Sequence, residues 1–287
     1  MSFEISNIRH PKEKFYSMLM LIFGIFGWAV LALFLAFTLM RGTPEILIFI
    51  CYGLVLWFVS YVARALTRAY MIGHYVLVGP QQFPHLHKMV SDGAVALGLT
   101  EVPQAFVYNS NGVMNAMALR LVGRDRYIWL TSALIDSDSD EQVRFVIGHE
   151  LGHHVAGHLD RLGHLLRLPS HFIPFLGPAY SRGRELTCDR IGLYVACNIN
   201  ASRSALQMLA CGSAKLNAQM NADAFEQQEQ MVPSIAGFIL HIFSGYPRLT
   251  RRVEAVTQWY SSTRSNNGPL PLSPSLTDPV EGVLSTR

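Results

Sequence analysis

Hydrophobic and polar positions divide the chain into three regimes. Residues 15–40, FYSMLMLIFGIFGWAVLALFLAFTLM, run without a charged side chain, and residues 46–63, ILIFICYGLVLWFVSYVA, do so again. A helix rises about 1.5 Å per residue and needs roughly 20 residues to cross a hydrocarbon core of about 30 Å, so both segments are long enough to span a bilayer. The connector RGTPE predicts a tight hairpin between them. The first segment is too long for a signal-peptide core and has no small-residue cleavage site after it, which predicts that it is retained. Beyond residue 63 the pattern becomes mixed. Leu86, Met89, Val90, Ala94 and Leu97 recur at helical spacing after Pro84, predicting an amphipathic helix over 83–98. QAFVY, VMNAMALR and RYIWLT then alternate with the turn-forming NSNG and VGRD, predicting a small antiparallel sheet. D-S-D-E at 138–141 has the form of a capping box and predicts the start of a helix running into VIGHELGHHVAGH, residues 146–158. The proline- and serine-rich end predicts disorder. The expected division is therefore a two-helix membrane anchor over 1–68, a mainly helical domain with a small sheet over 69–260, and a tail over 261–287.

Composition strengthens the membrane reading: half of the 287 residues are hydrophobic and 15% are charged. Arg9, Lys12 and Lys14 precede the first span, Arg41 alone sits in the hairpin, and Arg64 and Arg68 follow the second. The positive-inside rule then places both termini and the following domain on the cytoplasmic side. A net charge of +3 leaves no electrostatic footprint for nucleic acid. Cys51, Cys188, Cys197 and Cys211 contain no C-x-x-C pair, which argues against a disulfide framework and against a cysteine zinc site.

The chemistry is concentrated in H-E-x-x-H, His149, Glu150 and His153. On a helix the two histidines fall on one face about one turn apart and can reach one ion, while Glu150, about 100° round, can flank that ion without ligating it. Zinc held by three protein ligands keeps a fourth position for water and lowers its pKa to roughly 7, and the adjacent carboxylate can take the proton. A continuation H-x-x-G-x-x-H would need glycine at 156 and histidine at 159, but the chain has Ala156 and Leu159; on a continuing helix His158 lies about 140° from His153. His154 points about 100° away and reads as a surface or supporting residue, and His164 and His171 as ordinary loop residues. Downstream, Glu185 and Asp189 are spaced i, i+4 in SRGRELTCD, which allows the glutamate to ligate and the aspartate to orient a ligand imidazole. The same pair could instead be a solvated face among Arg182, Arg184 and Arg190.

H-E-L-G-H followed by S-R-x-x-E-x-x-x-D resembles the HtpX-like membrane zinc endopeptidases, a family that includes the CAAX prenyl endopeptidases. PHLHKMVSDGAVALGL, Pro103, NSNGVMNAMA and YIWLTSALI stand in the order that the family shows them, so the similarity covers roughly residues 80–260. The resemblance implies a gluzincin-type fold with one Zn2+ per chain on His149, His153 and Glu185, Glu150 as catalytic base and Asp189 behind a ligand. It also implies a substrate-holding edge strand at Asn115 and Ala116, matching the family's N-A-F, and a retained Arg252 at the substrate site. Tyr246 stands where the family's H-P-P-x-x-x-R motif has histidine, and a phenol can also donate to an oxyanion; a packing role at a helix start is the alternative. Residues 164–180 are broken by Arg167, His171 and prolines, and 234–245 is too short to cross, so only two spans are predicted; both runs either wall the cleft or touch the bilayer. The expected function is a zinc endopeptidase of a bacterial inner membrane, cleaving membrane or misfolded polypeptides. The alternative is a zinc-binding membrane scaffold that has lost turnover.

Overall fold

The computed structural model describes residues 3–42, 45–121 and 126–267. A single turn α1 (Ile5–Ile8) precedes two long apolar helices, α2 (Pro11–Met40) and α3 (Glu45–His74). Then follow β1 (Val76–Leu77), α4 (Pro84–Ala96), β2 (Gln104–Tyr108), β3 (Ala116–Arg120), β4 (Arg126–Thr131), α5 (Ser132–Ser137), α6 (Asp140–Val155), α7 (Arg161–Arg167) and a 3-10 turn, Leu168–Phe172. The chain continues through α8 (Leu176–Ala196), α9 (Ile199–Cys211), α10 (Ala214–Asn217), α11 (Ala222–Gln227), a second 3-10 turn Gln228–Met231, α12 (Ser234–Phe243) and α13 (Leu249–Asn267). The mainly helical class and the two N-terminal apolar helices match expectation. The tail expected from 261 begins with the end of α13, and its remainder lies outside the described residues.

The sheet departs from the expected antiparallel pattern. Its order is β1-β2-β4-β3; β1 pairs with β2 and β3 with β4 antiparallel, but β2 and β4 run parallel. Sequential hairpins would have placed β3 in the middle. The physical reason for the difference is burial: β4 hides Tyr127, Ile128, Leu130 and Thr131, so both its faces need cover and it takes a central position, while the more exposed β3 is left at the edge.

Two glycines set how α6 and α8 meet. A Cβ on Gly148 would lie 2.7 Å from Val195 Cβ and 3.0 Å from Gly192 Cα, and one on Gly192 would lie 2.7 Å from the Phe145 carbonyl. Only bare backbone permits this approach, and it brings the motif face of α6 onto α8. Around this pair a core forms from α4, the sheet, α9 and α13, with Ile147, Leu151, Ile191 and Leu206 fully buried.

The membrane-like helices form a hairpin, with Phe34 and Phe49 in edge contact at 5.9 Å. Both are long and apolar enough to cross a bilayer. The residues ahead of them do not hang free. Ile8 sits in the main core, the Phe3 ring meets Tyr194 at 5.3 Å, and α2 lies so close to α8 that a Cβ on Gly183 would be 2.8 Å from the backbone of Glu13. The beginning of the expected anchor is thus part of the globular core.

The cap of α6 falls one residue after the D-S-D-E reading: Ser139 and Gln142 form the capping box, with the Ser139 N–H donating to Gln142 Oε1 at 2.7 Å. Asp138 is left with a buried Oδ1 that has no hydrogen-bond partner, and burial pushes its carboxyl up to about 7. A folded-state pKa above the unfolded value of about 3.9 gives stability that is complete below about pH 4 and lost as pH rises through 7. Asp138→Asn is therefore expected to stabilise the fold at pH 8 by on the order of 1–2 kcal/mol, seen as a higher melting temperature, with the gain shrinking toward pH 4 in a thermal-melt series.

Candidate metal centre

His149 and His153 project from one face of α6, their ring centroids 5.2 Å apart. Across the glycine contact, α8 presents Glu185 and Asp189 one turn apart. Glu185 reaches both imidazoles, Oε2 at 3.4 Å from His149 Nε2 and Oε1 at 3.7 Å from His153 Nε2. Asp189 lies on the opposite side of His149, its Oδ1 3.0 Å from Nδ1. Arg252 from α13 fixes that aspartate, donating from Nε to Oδ2 at 2.8 Å and from Nη2 to Oδ1 at 2.6 Å. Arg252 borders the cleft, but its guanidinium faces Asp189 and passes 4.0 Å from Glu185, so it is placed behind the ligand-capable groups and not toward an open substrate position.

The electrostatics favour a cation here. Burial opposes charge on His149, but Asp189 and Glu185 on its two sides raise it to about 10. Against the same burial, His149 and Arg252 hold the Glu185 and Asp189 carboxyls at about 2. His153, buried and next to His149, is pushed well below the ordinary imidazole value. Glu150 points from α6 toward the sheet edge; burial raises it to about 7, and its carboxylate accepts a bond from the Ala118 N–H.

Ligand-capable atoms of His149, His153 and Cys188 also lie within 4.8 Å of one another. Cys188 Sγ is 3.5 Å from His158 Nδ1, and burial with neighbouring carboxylates keeps its thiol protonated. A tetrahedral ion with bonds of about 2.0–2.1 Å separates its ligand atoms by about 3.3–3.4 Å. Glu185 Oε2 stands at that separation from His149, and its Oε1, at 3.7 Å from His153, is a few tenths of an ångström beyond it, so a small ion drawing these groups slightly together would have two nitrogen ligands and one oxygen ligand.

The groups surround a cleft of about 470 Å³ walled on one side by β3. Asn115 exchanges bonds with Thr131, accepting from its N–H at 3.1 Å and donating to its Oγ1 at 3.0 Å. Strand alternation then turns the amides of Ala116 and Ala118 away from β4 and into the cleft. The Asn115 side chain is exposed at the rim. Tyr246 also lines the cleft and is 65% exposed, with its phenol kept protonated first by the charge of Glu185 and then by burial.

The other histidines fall in unexpected places. His154, expected as a surface or supporting residue, is buried with Nε2 3.0 Å from the Tyr127 carbonyl oxygen. His158 returns to the site despite its helical-wheel position, because α6 ends at Val155 and Gly157, at φ +73°, turns the chain back. Its Nδ1 lies 3.2 Å from His153 Nδ1. His164 stands on α7 with Nε2 2.9 Å from the His158 carbonyl oxygen, and His171 lies in the following 3-10 turn. Glu13, Thr187 and the position of His158 were not legible in local spacing; the sole hint was a charged residue two positions ahead of an uncharged span.

An H-E-x-x-H helix faced by a carboxylate-bearing helix, beside an open sheet edge, defines the metallopeptidase class. The chain belongs to peptidase family M48, whose family model matches residues 80–260. It is 32% identical over 170 residues to the plastoglobule-localized metallopeptidase 48 of Arabidopsis thaliana, covering 55% of this chain and 49% of that protein. Its fold is similar to the crystal structure of S. mikatae Ste24p, with a TM-score of 0.50 at 16% identity, over 85% of this chain and 65% of the other. The chain therefore spans about half the length of the plastid relative and just under two thirds of the yeast structure.

Proposed function

We propose that the protein is a membrane-anchored zinc endopeptidase, with His149, His153 and Glu185 as ligands and Glu150 as base. The observation carrying this reading is Glu185, whose two oxygens lie 3.4 Å and 3.7 Å from the two imidazoles while Glu150 and the edge strand β3 face the same cleft. Zinc held there supplies Lewis acidity and a more acidic water. An extended polypeptide adds to the edge through the outward groups of Ala116 and the neighbouring residues, with the Asn115 side chain at the rim, which brings a scissile carbonyl beside the ligands. Glu150 takes a proton from the attacking water at its carboxylate and returns it to the leaving nitrogen. Tyr246 donates its phenolic proton's hydrogen bond to the carbonyl oxygen as charge develops. Asp189 fixes the His149 ring and Arg252 fixes Asp189, so Arg252 acts through the metal ligands.

The test is metal content and casein hydrolysis of the purified protein. One zinc per chain is expected, with activity lost on chelation and restored by zinc. Glu185→Gln is expected to weaken zinc binding more than tenfold, while Cys188→Ser retains it. The reverse result would transfer the third ligand to the thiol.

Membrane proteins as the substrate class are supported by the surface beside α2. Trp28 Nε1 donates to the Leu165 carbonyl at 2.8 Å, and Cβ atoms on Gly24 and Gly27 would overlap Leu166 O and Pro169. If the last 20 residues of α2 span the bilayer, these contacts lie roughly 5–10 Å below its surface. Leu165, Leu168 and Phe172, the last 89% exposed, then face lipid, and the Phe175–Phe243 ring contact at 5.2 Å joins them to the apolar face of α12. A lipid-sensitive fluorophore placed at Phe172 is expected to be quenched by nitroxide lipids in liposomes; emission typical of water would remove this surface from the bilayer. The cytoplasmic side is part of the same proposal, resting on the basic residues flanking the spans.

A further inference from the structure

We propose that Glu13 and His158 form a hydrogen-bonded relay that orients His153 toward the metal, so that the turn of chain ahead of the membrane segment completes the metal site. The relay rests on the reading of His153 as a ligand through Nε2.

With Nε2 turned to the metal, the His153 proton is on Nδ1. That N–H faces His158 Nδ1 at 3.2 Å, which must be the bare nitrogen to accept it. His158 then carries its proton on Nε2, 3.0 Å from Glu13 Oε1. Glu13 also accepts from Arg9 Nη1 and, at its other oxygen, from the Thr187 hydroxyl. The Thr187 oxygen in turn accepts from the His10 N–H at 2.9 Å. One proton arrangement gives every donor an acceptor. The opposite His158 tautomer sets N–H against N–H at His153 and a bare nitrogen against a carboxylate oxygen. Cys188 Sγ, 3.5 Å from the same His158 Nδ1, is a weaker and longer partner that can donate to the same lone pair and so is compatible with this tautomer.

The arrangement repeats what stands behind the other ligand. His149 is backed by Asp189, which Arg252 holds; His153 is backed through His158 by Glu13, which Arg9 holds. The additional imidazole fills the gap opened where Gly157 turns the chain. Burying a carboxylate as fully as Glu13, with no exposed surface, is expensive unless its partners are fixed. Here they are: the Arg9 Nη2 also donates to the Ala156 carbonyl at 2.9 Å, and Gly183 lets α2 lie against α8. A carboxyl partner behind a metal-bound histidine sets its tautomer and ring angle, and its removal typically weakens metal affinity or activity 10–100-fold.

The test uses the full chain in detergent and two substitutions at one position. In His158→Asn the amide oxygen lies near the former Nδ1 and can still accept from His153, whereas in His158→Gln the amide lies near the former Nε2 and can still satisfy Glu13. Zinc affinity by chelator competition is expected to fall 10–100-fold in His158→Gln, which loses the acceptor for His153, and to fall severalfold but less in His158→Asn, which keeps that acceptor and loses the link to Glu13. In the cobalt-substituted proteins, the shifted exchangeable N–H proton of His153 should remain slow to exchange in wild type and His158→Asn, and be lost in His158→Gln. Zinc affinity unchanged in His158→Gln, or equal loss in both variants tracking an equal drop in melting temperature, overturns the relay and assigns the cluster to packing. A wild-type protein that takes up no zinc, or a Glu185→Gln variant that keeps it, overturns the ligand assignment itself, and the relay falls with it.

Discussion

Replacing Glu150 with glutamine is expected to leave zinc content unchanged and to lower kcat for casein by roughly 10²–10⁴-fold. Glutamine keeps the length of the side chain and an oxygen to accept from the Ala118 N–H, so the sheet edge and α6 should stay in place. It cannot take a proton from water. Glu150 is bonded to the sheet edge at Ala118 while Glu185 lies between the two imidazoles, which is why metal and turnover should separate in this variant. The same measurement decides between enzyme and scaffold, because a protein that only binds zinc has no turnover to lose. Equal hydrolysis by wild type and variant would remove Glu150 from the mechanism.

Tyr246→Phe is expected to lower kcat by roughly 10²–10³-fold with KM and zinc content nearly unchanged, since a donor to a developing oxyanion acts mainly in the transition state. A tyrosine kept for packing should be buried. This one is 65% exposed and lines the cleft, and its fold contacts are made by backbone, with Ser244 Oγ donating to its carbonyl at 2.7 Å. Removing the hydroxyl should therefore leave the melting temperature where it was, and Tyr246→His, which offers another donor, should retain substantial activity. Full activity of the phenylalanine variant would end the catalytic reading.

The parts of the site that lie within one helix were legible in the sequence because helical spacing is rigid. His149 and His153 share a face of α6, and Glu185 and Asp189 share a face of α8. That these two faces meet could be guessed from the family resemblance, but the cause is the Gly148–Gly192 contact, whose tightness appears only when two backbones are placed side by side. The sheet was misjudged as antiparallel because local turns show where strands end and not which strand inserts between others; burial of β4 on both faces decided that. His158 was misplaced by extending the helical wheel past Val155, where the helix stops. Glu13 was out of reach for a different reason. Its partners His158 and Thr187 are 145 and 174 positions away, and no period in a sequence encodes such a distance.

That distance has a consequence for synthesis. Glu13 leaves the ribosome 174 residues before Thr187, and at roughly 5–20 residues per second it waits about 9–35 s for its partner. During that interval both apolar helices have already emerged and can enter the bilayer, while the cleft still lacks α8 and with it Glu185. On the proposed reading, the cleft is completed only after both apolar helices have been made, so the order of translation separates the time at which the helices can insert from the time at which the ligand set is assembled.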